Sequence, residues 1–145
     1  MEKKVLVING PNLNMLGDRE TEVYGNLNLE QINIQIEEKA KSLKIIPSFF
    51  QSNSESEIID KLHSNYKKTD ALIINAGAFT HTSIAIRDAV IILGVPTIEV
   101  HISNIYKREN FRQKSYLSDI SEGVICGMGY RGYLFALERI AEIIS

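Results

Sequence analysis

The sequence predicts an α/β protein in which helices cover both faces of a parallel five-stranded sheet. The first observation is an alternation along the chain: short apolar, β-rich runs alternate with segments whose apolar side chains recur every three or four positions. The second is Pro47 within the second run, because proline cannot donate a hydrogen bond inside a sheet and is typical of edge strands. Together they predict a flavodoxin-like three-layer sandwich with strand order 2-1-3-4-5.

The first half of the chain contains two strand–helix pairs. Residues 4–9 form a nearly unbroken apolar run, which is typical of a strand buried on both faces, and residues 45–51 form the second strand. Each is followed by a helix that begins at a capping box, Asn28 with Gln31 and Ser54 with Glu57. The apolar face of the first helix consists of Leu29, Ile32, Ile36, Ala40 and Leu43.

The second half supplies three more strands, at residues 71–75, 96–102 and 123–126. Helices are predicted from residue 83 to residue 93 and from about residue 129 to residue 144. No repeat, linker or low-complexity segment interrupts the pattern, so residues 1–145 are predicted to form a single domain.

Composition narrows the function classes. Sixteen basic against eighteen acidic side chains give no polyanion-binding signature, which argues against nucleic acid as a partner. The single cysteine, Cys126, excludes an intramolecular disulfide and suits a reducing compartment. The chain shows no signal peptide, and its apolar runs are far shorter than the roughly 18 residues of a membrane span. We therefore expect a cytoplasmic protein with no membrane partner.

Polar and charged residues gather where the predicted strands end. Parallel α/β sheets bind ligands beyond the carboxyl ends of their strands, so side chains from these loops are expected to meet at one edge. The candidates are Asn12, Arg19 and Tyr24 after the first strand, Asn75 and His81 after the third, and Glu99, His101, Arg108 and Arg112 at and after the fourth.

A nucleotide site and a metal site are two other possibilities for this edge, and the sequence fits both poorly. Residues 127–132 spell GxGxxG, but the nucleotide-binding fingerprint needs a following strand with an acidic residue, and the chain ends at Ser145. Glycines for a tight turn and close helix packing are the simpler interpretation. A metal could be held by His81, His101 and Glu99, yet their spacing matches no local motif. Strand alternation instead puts Glu99 beside His101, as a partner that orients it.

Acid–base chemistry on a small anionic substrate explains the residue choice better. Tyrosine has an ordinary pKa of about 10 and is a poor base until ionised. Ionisation near pH 7 requires roughly 4 kcal/mol of differential stabilisation, which two arginines in a water-poor site could supply. Arg19 lies on the same loop as Tyr24, and Arg108 and Arg112 can reach it from the loop after the fourth strand. A histidine held by a carboxylate is a natural proton donor.

Four long motifs add a family resemblance. They are GPNLNMLGDRETEVYG at residues 10–25, NAGAFTHTSIAIRDA at 75–89, EVHISNIYKRENFRQKSYLSD at 99–119 and GVICGMGYRGYLFAL at 123–137. In this order they resemble the type II 3-dehydroquinate dehydratases, lyases of the shikimate pathway and of aromatic amino acid biosynthesis, and the resemblance covers nearly the whole chain. Departures from the usual family sequence are Thr21, Ala76, Phe79 and the pair Tyr130–Arg131.

The resemblance implies a reaction and its catalytic residues. The family dehydrates 3-dehydroquinate to 3-dehydroshikimate by anti elimination through an enolate, without a metal or coenzyme, so the single domain is expected to be catalytic. Tyr24 would be the base, and Arg19 would hold it as a phenolate. Asn12 would stabilise the enolate through a water. His101 would protonate the departing hydroxyl, oriented by Glu99.

The resemblance also implies how substrate is bound. The substrate carboxylate would lie on the backbone N–H groups of Ile102 and Ser103 and on the Ser103 hydroxyl. Asn75, His81 and Arg112 would bind the ring hydroxyls, and Arg108 would close a lid over the site.

The predicted third helix points to an oligomer. Its residues are apolar on nearly every side, which requires cover from more than one direction, and in a domain of this size the second cover is expected to be another subunit. The apolar residues are Ile84, Ala85, Ile86, Ala89, Val90, Ile91, Ile92 and Leu93. The family resemblance implies a dodecamer built from trimers, with Asp88 reaching into a neighbouring active site.

A non-enzymatic alternative remains open at this stage. A flavodoxin-like domain can be a sensor of a small acid or nucleotide, with the same carboxylate-binding loop and no turnover. Only catalysis requires Tyr24 to be ionised, so this residue separates the two functions.

Overall fold

The computed structural model describes residues 2–145 and contains one five-stranded, all-parallel sheet. The strand order is β2-β1-β3-β4-β5, which confirms the predicted order and the edge position of the strand that contains Pro47. The strands are β1 (Lys3–Asn9), β2 (Ile45–Gln51), β3 (Ala71–Asn75), β4 (Thr97–His101) and β5 (Gly123–Cys126).

Helices cover both faces of the sheet. They are α1 (Thr21–Tyr24), α2 (Leu29–Ser42), α3 (Glu55–Ser64), α4 (Ile84–Leu93) and α5 (Arg131–Ile144). Alternate residues of β1 point to opposite faces: Val5 and Val7 pack with α2 and α5, whereas Leu6 and Ile8 pack with α3 and α4. The unbroken apolar run of β1 is therefore explained by burial on both sides.

Three helices begin at side-chain caps. Asn28 and Gln31 form the predicted reciprocal capping box of α2. The second predicted box is half wrong, because the Ser54 hydroxyl accepts from the Glu57 N–H while the Glu57 carboxylate accepts from the Ser52 hydroxyl instead. Ser83 caps α4 by accepting from the Ile86 N–H at 2.9 Å.

The loops after β1 and β3 lie back to back. The Gly10 N–H donates to the Asn75 carbonyl at 2.8 Å, and a Cβ on Gly10 would overlap the Ala76 carbonyl group. Gly77 has a φ of +58°, and a Cβ there would approach the Pro11 carbonyl oxygen to 3.0 Å. These two glycines allow the strand ends to approach closely enough to carry polar side chains into one site.

Across residues 2–145, none of the helices combines the length and apolarity that crossing a membrane requires.

Candidate active site

A cavity lies at the carboxyl ends of β1, β3 and β4, where the sequence predicts a ligand site. Two predicted site residues, Glu99 and Asp88, do not line it: Glu99 lies behind His101, and Asp88 is on the exposed surface of α4. The predicted residues that do line it are Asn12, Arg19, Tyr24, Asn75, His81, His101, Ile102, Ser103, Arg108 and Arg112.

The Tyr24 hydroxyl receives hydrogen bonds from two guanidinium groups. Arg108 Nη1 donates to it at 2.7 Å and Arg19 Nη2 at 3.2 Å. Both guanidinium carbons also lie over the ring, at 4.4 Å for Arg19 and 5.2 Å for Arg108 from its centroid. Arg108 further donates to the Ser103 hydroxyl at 3.3 Å. Two positively charged groups therefore lie within hydrogen-bonding distance of the Tyr24 oxygen.

The four-residue helix α1 presents this tyrosine. The sequence predicts a loop here, because a segment of four residues is too short to show an apolar periodicity. Glu20, which precedes the helix, has a left-handed φ of 33°, and Gly25, which follows it, has a φ of 84°. The backbone φ is therefore positive on both sides of the helix. Tyr24 packs against the core, and its hydroxyl reaches the cavity.

Arg112 takes a different place from the one that charge alone suggested. It lines the cavity, but its Nε donates to the Glu109 carboxylate at 2.9 Å, and it makes no hydrogen bond to Tyr24. The arginine pair at the phenol is therefore Arg19 with Arg108.

Glu99 and His101 form a buried pair on β4. Glu99 is 0% exposed, and its Oε2 lies 2.5 Å from His101 Nε2. Burial alone would raise the pKa of Glu99, but hydrogen bonds from His101, Ser118 and Ser115 outweigh it and leave the pKa below its ordinary value. An ionised carboxylate can only accept, so His101 Nε2 carries the hydrogen and Nδ1 is the ring nitrogen left for a ligand.

His81 stands beside the acid pair. Its ring stacks on that of His101 with centroids 6.3 Å apart, and its Nδ1 is 2.7 Å from the Lys114 carbonyl, to which it can only donate. Burial, with smaller contributions from the charges of His101 and Arg112, lowers the pKa of His81, although the bond to Lys114 opposes the shift. At neutral pH, His81 is a neutral ring that can accept a hydrogen bond through Nε2.

A buried amide network holds Asn75. Asn75 Nδ2 donates to the Tyr133 hydroxyl at 3.0 Å, and that hydroxyl donates to Asn9 Oδ1 at 2.5 Å. Asn75 Oδ1 accepts from the Gly77 N–H at 3.1 Å. Burial raises the pKa of Tyr133 far above its ordinary value, so it remains a protonated donor. No local sequence pattern reveals this network, because Tyr133 lies 58 residues from Asn75 and 124 from Asn9.

Neither competing kind of site gains support. The Gly127 N–H donates to the His101 carbonyl, and the Gly129 N–H donates to the Ile102 carbonyl. These glycines therefore form a tight turn between β5 and α5. Within residues 2–145, no group of three or more His, Cys, Asp or Glu side chains is arranged to hold a metal ion.

The chain is similar over nearly its whole length to proteins of known name. The family Dehydroquinase class II matches residues 3–141. The 3-dehydroquinate dehydratase of Buchnera aphidicola subsp. Acyrthosiphon pisum (strain Tuc7) is 57% identical over 138 residues, 95% of this chain and 92% of that protein. The 3-dehydroquinate dehydratase of Histophilus somni (strain 2336) is 55% identical over 142 residues, 98% and 95% of the two chains. The crystal structure of the type II dehydroquinase from Butyrivibrio crossotus DSM 2876 is 47% identical, with a TM-score of 0.92 over 96% and 97% of the chains.

The lowered pKa of Glu99 predicts a pH-dependent contribution to stability. A carboxyl group with a lower pKa in the folded protein stabilises the fold above its unfolded pKa of 4.5, and this contribution is lost as pH falls through the folded pKa. On acidification from neutral pH, we therefore expect the free energy of unfolding to decline more for wild type than for Glu99→Gln, measured by urea unfolding. The other carboxylates are common to both proteins, so equal declines would show that Glu99 contributes nothing.

Proposed function

The chain belongs to the class II dehydroquinase family and is thus a lyase that dehydrates 3-dehydroquinate in the shikimate pathway, and we propose that Tyr24 is its base and His101 its acid. The observation that carries the proposal is the contact of two guanidinium groups, those of Arg19 and Arg108, with the Tyr24 hydroxyl. The product of this elimination is 3-dehydroshikimate.

Tyr24 removes a proton from the carbon next to the substrate ketone. The phenolate oxygen is the acceptor, and the new O–H bond leaves the electron pair of the C–H bond in an enolate. Both arginines stabilise the negative charge on the oxygen before the transfer, in a half-buried position where the attraction is screened less than on an open surface. Asn12, which lines the same cavity, stabilises the charge that develops on the enolate oxygen.

His101 donates a proton to the hydroxyl that leaves. Because Nε2–H is held by Glu99, the proton comes from Nδ1 of the imidazolium, and the enolate electron pair expels the hydroxyl as water. The Glu99 carboxylate fixes the ring orientation and stabilises the positive charge on the imidazolium. Base and acid come from different elements, α1 and β4, and an anti elimination requires that they act on opposite faces of the substrate ring.

The rest of the cavity binds the substrate. The N–H groups of Ile102 and Ser103 and the Ser103 hydroxyl receive the carboxylate, next to the positive charge of Arg108. Substrate hydroxyls bind to Asn75, whose amide is fixed by Tyr133 and Gly77, and to His81 and Arg112. A neutral His81 accepts where Arg112 donates, so the two can recognise one hydroxyl from both sides.

Asp88 acts in the site of a neighbouring subunit. In the single chain it is exposed on α4, away from its own cavity. The same helix exposes Ile84 (56%), Ile91 (51%) and Ile92 (55%), an uncovered apolar surface that another subunit would bury. The assembly that we propose is a dodecamer of trimers.

Removal of the phenol tests the base. In Tyr24→Phe the C–H proton has no acceptor, and we expect kcat to fall at least about a hundredfold while substrate binding persists. Formation of the enone is followed by ultraviolet absorbance. Tyr106→Phe is the matched control, because Tyr106 is an exposed tyrosine that does not line the cavity. An active Tyr24→Phe variant would rule out the proposed base.

Mixing two variants tests the shared site. Tyr24→Phe removes the base from the subunit's own site, whereas Asp88→Asn removes a carboxylate only from the site of a neighbouring subunit. Both are therefore expected to be inactive alone. After dissociation and random reassembly of an equal mixture, about a quarter of the sites combine an intact Tyr24 with a neighbouring Asp88, and activity should return in that proportion. A mixture no more active than its components would show that Asp88 does not act between subunits.

A further inference from the structure

The carboxylate of Glu99 receives more hydrogen bonds than the one from His101. The Ser118 hydroxyl donates to Oε1 at 2.6 Å, and the Ser115 hydroxyl is 3.1 Å from Oε1 and 3.0 Å from Oε2. Neither serine lines the substrate cavity. We propose that Ser115 and Ser118 are positioning residues that keep Glu99 an anion, and thereby keep His101 in the orientation and tautomer that acid catalysis needs. The inference rests on the proposed function of His101.

The direction of the Ser115 hydrogen bond is fixed by its surroundings. Its hydroxyl oxygen accepts from the backbone N–H of Leu117 at 3.0 Å and from that of Ser118 at 3.2 Å. Both lone pairs are then occupied, so the hydroxyl hydrogen can only point at the carboxylate. Ser115 is thus a committed donor.

The segment that carries both serines, residues 114–119, is tied down on both sides. The Lys114 carbonyl accepts from His81, and the Tyr116 N–H donates to the Thr80 carbonyl at 3.0 Å. Arg87 of α4 donates to the Tyr116 carbonyl at 2.8 Å and pairs with the Asp119 carboxylate. Anchored in this way, the serines cannot easily turn away from Glu99.

Burial without donors would raise the pKa of this carboxyl group. Desolvation favours its protonated form, and hydrogen bonds to the anion oppose that effect. A protonated Glu99 could no longer stabilise a charged His101. The other titratable or charged groups near the acid pair are His81, Arg112 and Cys126. In the part of the chain that the structure describes, these three make no hydrogen bond to the carboxylate.

Ser118→Ala is the primary test, since the Ser118 hydroxyl bonds to Glu99 without supporting the backbone of the segment. Because a hydrogen bond to a charged group is lost, we expect kcat to fall about tenfold with little change in KM. We also expect the midpoint of the acid limb of the kcat–pH profile to move by about one unit to higher pH. Ser118→Thr retains a hydroxyl and should restore both. The matched control is Ser121→Ala: this hydroxyl donates to the Leu117 carbonyl at 2.7 Å and does not touch Glu99.

A combined variant shows whether the serine acts through Glu99. Added to Glu99→Gln, Ser118→Ala should cost little further activity, because no charge remains to be stabilised. A full additional tenfold loss would mean that Ser118 works by another route. Equal kcat and equal acid limbs in wild type and Ser118→Ala would overturn the proposal outright.

A measurement on the resting protein separates this inference from the proposed function. The Glu99 carboxyl carbon, labelled with 13C and assigned with Glu99→Gln, is titrated by NMR. We expect the Glu99 carboxyl to take up its proton at higher pH in Ser118→Ala than in wild type or Ser121→Ala. An unchanged titration refutes the role of the serine even if the enzyme is active, whereas inactivity of wild type towards 3-dehydroquinate would refute the proposed function alone.

Discussion

The contact of one phenol oxygen with two guanidinium groups is the interaction on which the site depends. Arg108 arrives from the segment after β4 and Arg19 from the loop after β1, so the pair forms only when both loops are in place. A single exposed ion pair contributes little to stability. Two positive charges attract a half-buried oxygen more strongly, because water screens the attraction less there. The close approach of backbone at Gly10 and the short helix α1 are the means by which the fold places Tyr24 there.

The two halves of the site are built on opposite electrostatic principles. Around the Tyr24 hydroxyl, the side chains at the cavity wall are the positively charged Arg19 and Arg108. Beside His101, the neighbouring group is instead the fully buried carboxylate of Glu99, which several hydrogen-bond donors surround. The proposed elimination needs a deprotonated base and a protonated acid at the same pH, and it assigns the base to the positive surroundings and the acid to the negative ones. Neighbouring His81, kept neutral mainly by burial, adds no competing charge.

The features of the fold and site that depend on local sequence pattern are predictable from the sequence. Pro47 predicted the edge strand, and the spacing of two between Glu99 and His101 predicted their contact, because alternate residues of a strand share a face. Contacts between residues that are far apart in the sequence are not predictable in this way. Tyr133 reaches Asn9 and Asn75 only because α5 packs over the sheet. Ser115 and Ser118 looked like ordinary loop serines, and Arg112 prefers a carboxylate three residues away to the phenol.

The most direct test of the account is the ionisation state of Tyr24 in the resting protein. With the ζ carbon of the six tyrosines labelled with 13C, the signal missing from Tyr24→Phe identifies this residue in the NMR spectrum. We expect this signal to report a phenolate at neutral pH. A Tyr24 signal that remains that of a neutral phenol until strong alkali, together with full activity, would contradict it.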